Sequence, residues 1–445
     1  VRWTARLNVT GARLAELPER PEFISILDAD FVPRPNFLRR AMTLFRDPAI
    51  GLVQTPQHFV NPDPIQTNLL ATQVWPDDQR FFFDVVMPSR DAWGAAFCCG
   101  TSSIIRFEPL LAINGFPTDS VTEDYLLSLR LKERGLATAY LNEALTLGLA
   151  PEGLKEYITQ RNRWCLGFMQ IVRGRSGPFS TQTNLSFIDR LALFDSFLNW
   201  AAVYPARMMG LIAPILYLLL DVKSVQAELH EVATFFLPYF VWAMLSMTWI
   251  TRGRVLPIMS DVCHFVAAPA IIKAVFMGLT KPQGHKFKVT AKGGDRSRGF
   301  VEWPLLKIYG SLLVLTVLSI AATFLVDPRG DRIGFAAIAL AWSWYNMIVL
   351  TVICVVCIEQ PRRRKSERFE TSEPMALLVG GVEHVRRLAD ISISGAALRG
   401  DPPAPAGATV QCRIRGRLID ATIVRSRAGG FALRFDSSLA TRIAM

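Results

Sequence analysis

The sequence predicts three regions in series: a cytoplasmic α/β domain over residues 1–190, a transmembrane α-helical region over 191–358 and a small β-barrel over 359–445. Three observations predict them. Strand-like and helix-like runs alternate in the first region, four long apolar segments occupy the second, and short runs separated by turn residues fill the third.

In the first region Phe23–Leu27 reads as a short apolar strand, and Asn36–Phe45 and Tyr125–Arg134 read as amphipathic helices. The second region follows from composition. The 445 residues are 51% hydrophobic and carry a net charge of +11, which argues against a purely soluble protein. The apolar residues concentrate in Leu198–Leu220, Val232–Ile250, Ile308–Val326 and Ile333–Ile358. Each is long enough to cross about 30 Å of hydrocarbon at roughly 1.5 Å per residue. The last three lack Asp, Glu, Lys and Arg, while the first carries Arg207, which needs a polar neighbour. The stretch 255–279 is apolar but holds Asp261, His264 and Lys273, so it reads as an interfacial helix.

Basic residues after Ile358 and between the second and third spans put those sides in the cytoplasm. The positive charge is therefore read as topology in a lipid membrane, and no nucleic-acid partner is expected. Seven cysteines in an odd, scattered set indicate neither a disulfide framework nor a structural zinc site. In the third region Ala376–Val379, Gln411–Leu418, Ala421–Val424 and Phe431–Phe435 read as barrel strands.

Three motifs carry chemistry. Asp28-Ala-Asp30 follows the first strand, at the edge where open α/β sheets bind ligands, and two hard carboxylates there suit Mg²⁺ bridging a diphosphate. Thr122-Glu123-Asp124 opens a helix. Its acids are either helix-start residues favoured by the dipole or a catalytic pair, with Asp124 a general base. Gln160, Arg163 and Trp164 share one face of a predicted helix, where a guanidinium meets phosphate oxygens and an indole stacks on a sugar ring. A surface Arg/Trp cluster near the membrane is the plainer reading of that last motif.

DxD, TED and QxxRW in this order, followed by membrane spans, resemble the family 2 processive glycosyltransferases, which have a GT-A-like α/β domain. Phe97-Cys98-Cys99-Gly100-Thr101 is similar to the family's acceptor-end segment, and Gln54-Thr55-Pro56-Gln57-His58-Phe59 to the QTPxxF stretch of cellulose synthases. Phe287-Lys288-Val289-Thr290-Ala291-Lys292-Gly293 resembles the gating loop of the bacterial cellulose synthases, placed here within 281–299. Arg364 and Arg368 (RxxxR) with Asp390, Ser392 and Gly395 (DxSxxG) resemble the two-part signature of PilZ domains, and Arg363 adjoins the first part.

The resemblance implies transfer of glucose from UDP-glucose to the 4-hydroxyl of a growing β-1,4-glucan, with export across a bacterial inner membrane and activation by cyclic di-GMP. It implies Mg²⁺ on Asp28 and Asp30, catalysis by Asp124 with Glu123, and substrate contacts from Cys99, Gln160, Arg163, Trp164, Phe287, Val289, Thr290 and Lys292. It implies cyclic-di-GMP contacts from Arg363, Arg364, Arg368, Asp390, Ser392 and Gly395, with Glu152 holding Arg364 in the ligand-free state. A periplasmic accessory subunit is implied as well. Only one plausible strand precedes Asp28, and the family's first uridine-contacting Asp has no counterpart in residues 1–27. The α/β domain is therefore expected to be partial and N-terminally truncated. Two other readings stay open: a synthase of a different β-linked polysaccharide, and an inactive membrane regulator that responds to cyclic di-GMP.

Overall fold

A computed structural model describes residues 20–72, 74–75, 77–222, 229–253, 255, 257–285, 296–326, 333–361, 368–392, 394–414, 416–427 and 429–436. Phe287, Val289, Thr290, Lys292, Arg363 and Arg364 lie outside the described residues. The chain divides into two compact units: the described residues within 1–293 and 300–359, and those within 294–299 and 360–445.

The first unit is built on a four-stranded sheet in the order Phe23–Ile26, Ser103–Arg106, Ile50–Gln54, Ala137–Tyr140. The first three strands are antiparallel and the last pair is parallel. Alternation along the strands decides what each face buries. Leu52 and Ile105 pack with Leu127 and Leu131 of helix Glu123–Lys132. Their neighbours Val53 and Ile104 pack with Phe37, Ala41 and Phe45 on the opposite face. The amphipathic stretch expected over 36–45 is α-helical only over Phe37–Ala41 and tightens to a 3₁₀ helix over Met42–Arg46.

A second sheet has the order Val32–Pro33, Thr146–Gly148, Gln57–Phe59. The acid pair Asp28 and Asp30 thus occupies the link between strand Phe23–Ile26 of one sheet and strand Val32–Pro33 of the other. Phe31 is buried against Gly148, where an added Cβ would lie 2.3 Å from the ring. Glycine at 148 is what lets the aromatic ring anchor this link.

Helix Leu154–Arg173 joins the sheets to the membrane region. Its first N–H is accepted by Glu359 Oε1 at 3.0 Å, which satisfies one of the donors every helix N-terminus leaves open. It packs closely on helix Pro257–Thr280: a Cβ on Gly278 would meet Met169 Cβ at 2.4 Å.

By length and composition five helices are able to cross a membrane: Phe187–Leu220, Val232–Ile250, Ile258–Thr280, Trp303–Leu325 and Ala336–Val356. Four match the segments picked out in the sequence. The fifth is the stretch assigned to the interface because of its ionisable residues. Inside the bundle Asp261 pairs with Arg207 and accepts the Tyr345 hydroxyl at 2.5 Å, so two of the charges that marked these helices neutralise one another.

In the second unit six antiparallel strands close on themselves: Val382–Ser392, Pro374–Val379, Thr409–Ile414, Arg417–Arg427, Gly430–Phe435 and Gly395–Arg399, which returns to Val382–Ser392. A seventh, Phe369–Glu370, adds to the outside of Val382–Ser392. The stretch 411–418, expected as one strand, is split by a hairpin with Gly416 at φ +80°. The barrel core is Leu377, Leu388, Leu398, Cys412, Ile423, Phe431 and Leu433.

Candidate functional site

Arg163 is where the three motifs meet. Burial lowers its pKa, while the carboxylates of Asp124, Glu123 and Asp28 act in the opposite direction. These acids, far apart in the chain, therefore share one electrostatic neighbourhood with the guanidinium.

Each is held by backbone as much as by side chains. The Asp28 N–H donates to Thr101 Oγ1 at 3.0 Å, which ties the acid pair to the 97–101 segment. Asp30 Oδ2 accepts the Leu149 N–H at 3.3 Å. Asp28 is exposed and Asp30 half-buried, so hard oxygen donors face outward at the edge of the sheet.

Asp124 sits at the start of helix Glu123–Lys132, with Oδ1 accepting the Tyr125 N–H at 2.8 Å. Thr122 occupies the cap position without capping; its hydroxyl pairs with Ser120 at 3.0 Å instead. A Cβ built on Gly100, at φ +84°, would lie 3.1 Å from Asp124 Oδ2. The glycine leaves the far side of that carboxylate room. Burial, then repulsion from Glu123, pushes Asp124 up to about 7, against the pull of the Tyr125 N–H and Arg163. A carboxyl with that pKa is matched to proton transfer near neutral pH.

The 97–101 segment is locked from both sides. Gln54 accepts the Cys99 N–H at 2.7 Å and donates to the Thr101 carbonyl at 2.9 Å, while Gln57 donates to the Cys99 carbonyl at 2.7 Å. Ser128, buried on the helix behind Asp124, accepts the Cys98 N–H at 2.6 Å. Burial raises both thiols, Cys98 up to about 12, and Asp124 raises them further. They stay protonated and are not nucleophiles at neutral pH.

Trp164 and Gln160 lie on helix Leu154–Arg173 with Arg163. Gln160 Oε1 is buried and has no hydrogen-bond partner among the described residues, which suits a ligand donor. Trp164 takes the Arg161 guanidinium at 5.8 Å from its ring.

Residue types at motif spacing did not reveal Gly167 or Arg161. A Cβ at Gly167 would stand 2.5 Å from Thr122 Oγ1 and 2.8 Å from its backbone nitrogen. Ser120 donates to the Gly167 carbonyl at 2.9 Å, and Gln170 accepts the Val121 N–H at 2.8 Å. The Thr122-Glu123-Asp124 segment is stitched directly onto the helix that carries Arg163. A glycine inside an otherwise regular helix, at a cost of about 1 kcal/mol, was the available signal. Arg161 turns away from Arg163, to Asp78 at 2.5 Å.

In the second unit Arg368 pairs with Asp390 at 2.8 Å. Ser392 donates to the Gly395 carbonyl at 3.0 Å, and a Cβ on Gly395 would lie 2.1 Å from the Leu433 carbonyl. Gly395 is thus required by the approach of the neighbouring strand.

Comparison with known proteins gives the chain its relatives. The chain is 31% identical over 360 residues to the cellulose synthase catalytic subunit (UDP-forming) of Pseudomonas fluorescens (strain SBW25), covering 80% of this chain and 48% of that protein. It is 29% identical over 423 residues to the cellulose synthase 1 catalytic subunit (UDP-forming) of Komagataeibacter xylinus, covering 92% of this chain and 56% of that one. The chain spans about half the length of the curated relatives it matches. A crystal structure of the PilZ domain of CeSA from a cellulose synthesizing bacterium aligns at 20% identity and a TM-score of 0.16, covering 17% of this chain and 87% of that chain. The PilZ domain family matches residues 362–443, and the family described as glycosyl transferase family group 2 matches residues 23–251. The chain belongs to glycosyl transferase family group 2 and carries a C-terminal PilZ domain.

Proposed function

We propose that this chain carries the transfer site of a processive, inverting, UDP-forming cellulose synthase regulated by cyclic di-GMP. The observation that carries the reading is the shared neighbourhood of Asp28, Glu123, Asp124 and Arg163. A sugar-nucleotide transferase needs a cation-binding acid pair, a base near neutral pH and a positive charge for the diphosphate, and Asp28 with its neighbour Asp30, Asp124 and Arg163 supply them in this reading.

Asp28 and Asp30 fit a divalent cation: both are oxygen-only ligands, and Asp28 is exposed at the sheet edge. Asp28 and Asp30 would hold Mg²⁺, which would supply charge neutralisation for the diphosphate and so favour UDP as a leaving group. Arg163 adds a fixed guanidinium for phosphate oxygens. Gln160 and Trp164 supply a buried acceptor and a stacking plane for the sugar, and Cys99 lines the acceptor side.

Asp124 takes the proton of the acceptor's 4-hydroxyl as that oxygen bonds to the glucose anomeric carbon and the bond to UDP breaks. Attack from the face opposite UDP turns an α-linked donor into a β-linkage. Glu123 keeps the base from being too acidic to accept the proton. Phe287, Val289, Thr290 and Lys292 form the covering loop in this reading.

Arg363, Arg364 and Arg368, with Asp390 and Ser392, bind cyclic di-GMP, and Gly395 shapes the turn between strands. Glu359, whose carboxylate receives the first N–H of helix Leu154–Arg173, precedes this arginine run by three residues. A signal from the arginines therefore has a short covalent route to the helix that carries Arg163. The same reading places the protein in a bacterial inner membrane, with both polar units cytoplasmic, a β-glucan leaving through the helices and an accessory subunit on the periplasmic side.

The test is product analysis. Membranes containing the protein, given UDP-glucose, Mg²⁺ and cyclic di-GMP, should release UDP and form a polymer degraded by a β-1,4-specific glucanase. A polymer that resists this enzyme, or no UDP release under any of these conditions, would refute the reading.

A further inference from the structure

A second acidic cluster lies on the other side of helix Leu154–Arg173, away from Arg163. Asp63, Asp77 and Asp78 each offer a carboxylate oxygen, and these oxygens lie within 4.8 Å of one another. Each carboxylate already commits one oxygen to the protein. Asp63 Oδ1 accepts the Gln66 N–H at 2.8 Å, Asp77 Oδ1 the Gln79 N–H at 3.0 Å, and Asp78 Oδ2 the Tyr157 hydroxyl at 2.7 Å and Arg161 Nη2 at 2.5 Å.

What remains is the unusual part. Asp63 is only 2% exposed, and its Oδ2 is buried with no hydrogen-bond partner among the described residues. Asp78 Oδ1 is buried in the same condition. Carboxylate oxygens buried without a partner are costly to leave bare. Charge points the same way. Among the described residues the cluster is bonded to one cation, Arg161 through Asp78, while Arg80 pairs with Asp84 at 3.3 Å. Three carboxylates against one bonded guanidinium leave an excess of negative charge.

We propose that Asp63, Asp77 and Asp78 bind a structural divalent cation of the hard, oxygen-seeking kind, Mg²⁺ or Ca²⁺, at a site separate from the Asp28/Asp30 pair. The ligand set is oxygen-only, and the charge of a divalent ion cancels the excess. Asp63 caps helix Pro64–Asn68, and Asp77 caps the helix beginning at Asp78. Tyr157 and Arg161, bonded to Asp78, lie on the helix that carries Arg163 and Trp164. The ion clamps the 61–80 segment to the back of that helix and so fixes the orientation of its front. It touches no substrate, so its role is positioning, and the site does not depend on the transferase reading.

Mn²⁺ serves as the probe, read by electron paramagnetic resonance on detergent-purified, nucleotide-free protein at pH 8. The wild type should bind one Mn²⁺ that Mg²⁺ or Ca²⁺ displaces, and the Asp28→Asn/Asp30→Asn double variant should keep it. Asp77→Asn, which retains a capping side chain, should weaken binding by about tenfold or more. Absence of bound Mn²⁺ in the wild type overturns the proposal. So does a bound Mn²⁺ that disappears in the Asp28→Asn/Asp30→Asn variant, or one that Asp77→Asn leaves unchanged.

Discussion

Replacing Gly167 with alanine sets two physical effects against each other. Inside a helix, alanine in place of glycine gains about 1 kcal/mol from backbone propensity alone, so a local account predicts stabilisation. The structure predicts the reverse, because the new Cβ would stand 2.5 Å from Thr122 Oγ1 and 2.8 Å from Thr122 N. Ordinary carbon contacts begin near 3.5 Å, so relief requires a shift of about 1 Å. The Thr122 backbone has little freedom to yield, since Ser120 and Val121 are bonded to the same helix at the Gly167 carbonyl and at Gln170. Overpacking of this kind costs about 1–3 kcal/mol, which outweighs the propensity gain. The displaced segment carries Glu123 and Asp124, and misplacing a catalytic group by about 1 Å costs on the order of 100-fold in rate. The assay is UDP release against UDP-glucose concentration, alongside thermal melting. Turnover should fall about 100-fold while KM moves little, because the Asp28 side of the site is untouched. Turnover within twofold of wild type, or a melting temperature raised above it, would refute the close-approach argument.

Further expectations concern the base and the barrel. With Asp124 at about 7, kcat/KM should fall tenfold per pH unit below that value, because only the ionised carboxylate accepts a proton. Removing the neighbouring charge by Glu123→Gln should move the bend to lower pH, and an unmoved bend would show that Glu123 does not act on the base. Arg368→Ala removes a charge-assisted contact of about 1.5–3 kcal/mol, so cyclic-di-GMP affinity should drop at least about tenfold by calorimetry. An unchanged Kd would remove Arg368 from the binding site.

Periodicity made much of this fold readable. The strand at Phe23–Ile26 and the helix at Glu123–Lys132 appear within a few residues of where a short apolar run and an amphipathic pattern placed them. The apolar spans were legible for the same reason, because length and composition are local properties. What stayed hidden depends on which elements meet. Arg161 and Arg163 are two residues apart, yet one faces Asp78 and the other the field of Asp124, and nothing in their types distinguishes them. In helix Pro257–Thr280 the charge of Asp261 had no visible partner in the sequence, because Arg207, which stands opposite it, comes from another helix. Nothing in the type of Tyr309, on an apolar helix, shows that it is fully buried with its hydroxyl on the Phe265 carbonyl. Ser128 resembles any polar helix residue, and only the tertiary fold brings the Cys98 N–H to it.

The most direct measurement of the central claim separates binding from turnover in Asp124→Asn. Asparagine keeps the shape beside Gly100 but cannot take a proton, so UDP affinity should stay within about twofold while UDP release falls at least about 100-fold. Release near the wild-type rate, with the pH profile unchanged, would contradict the assignment of Asp124 as the base.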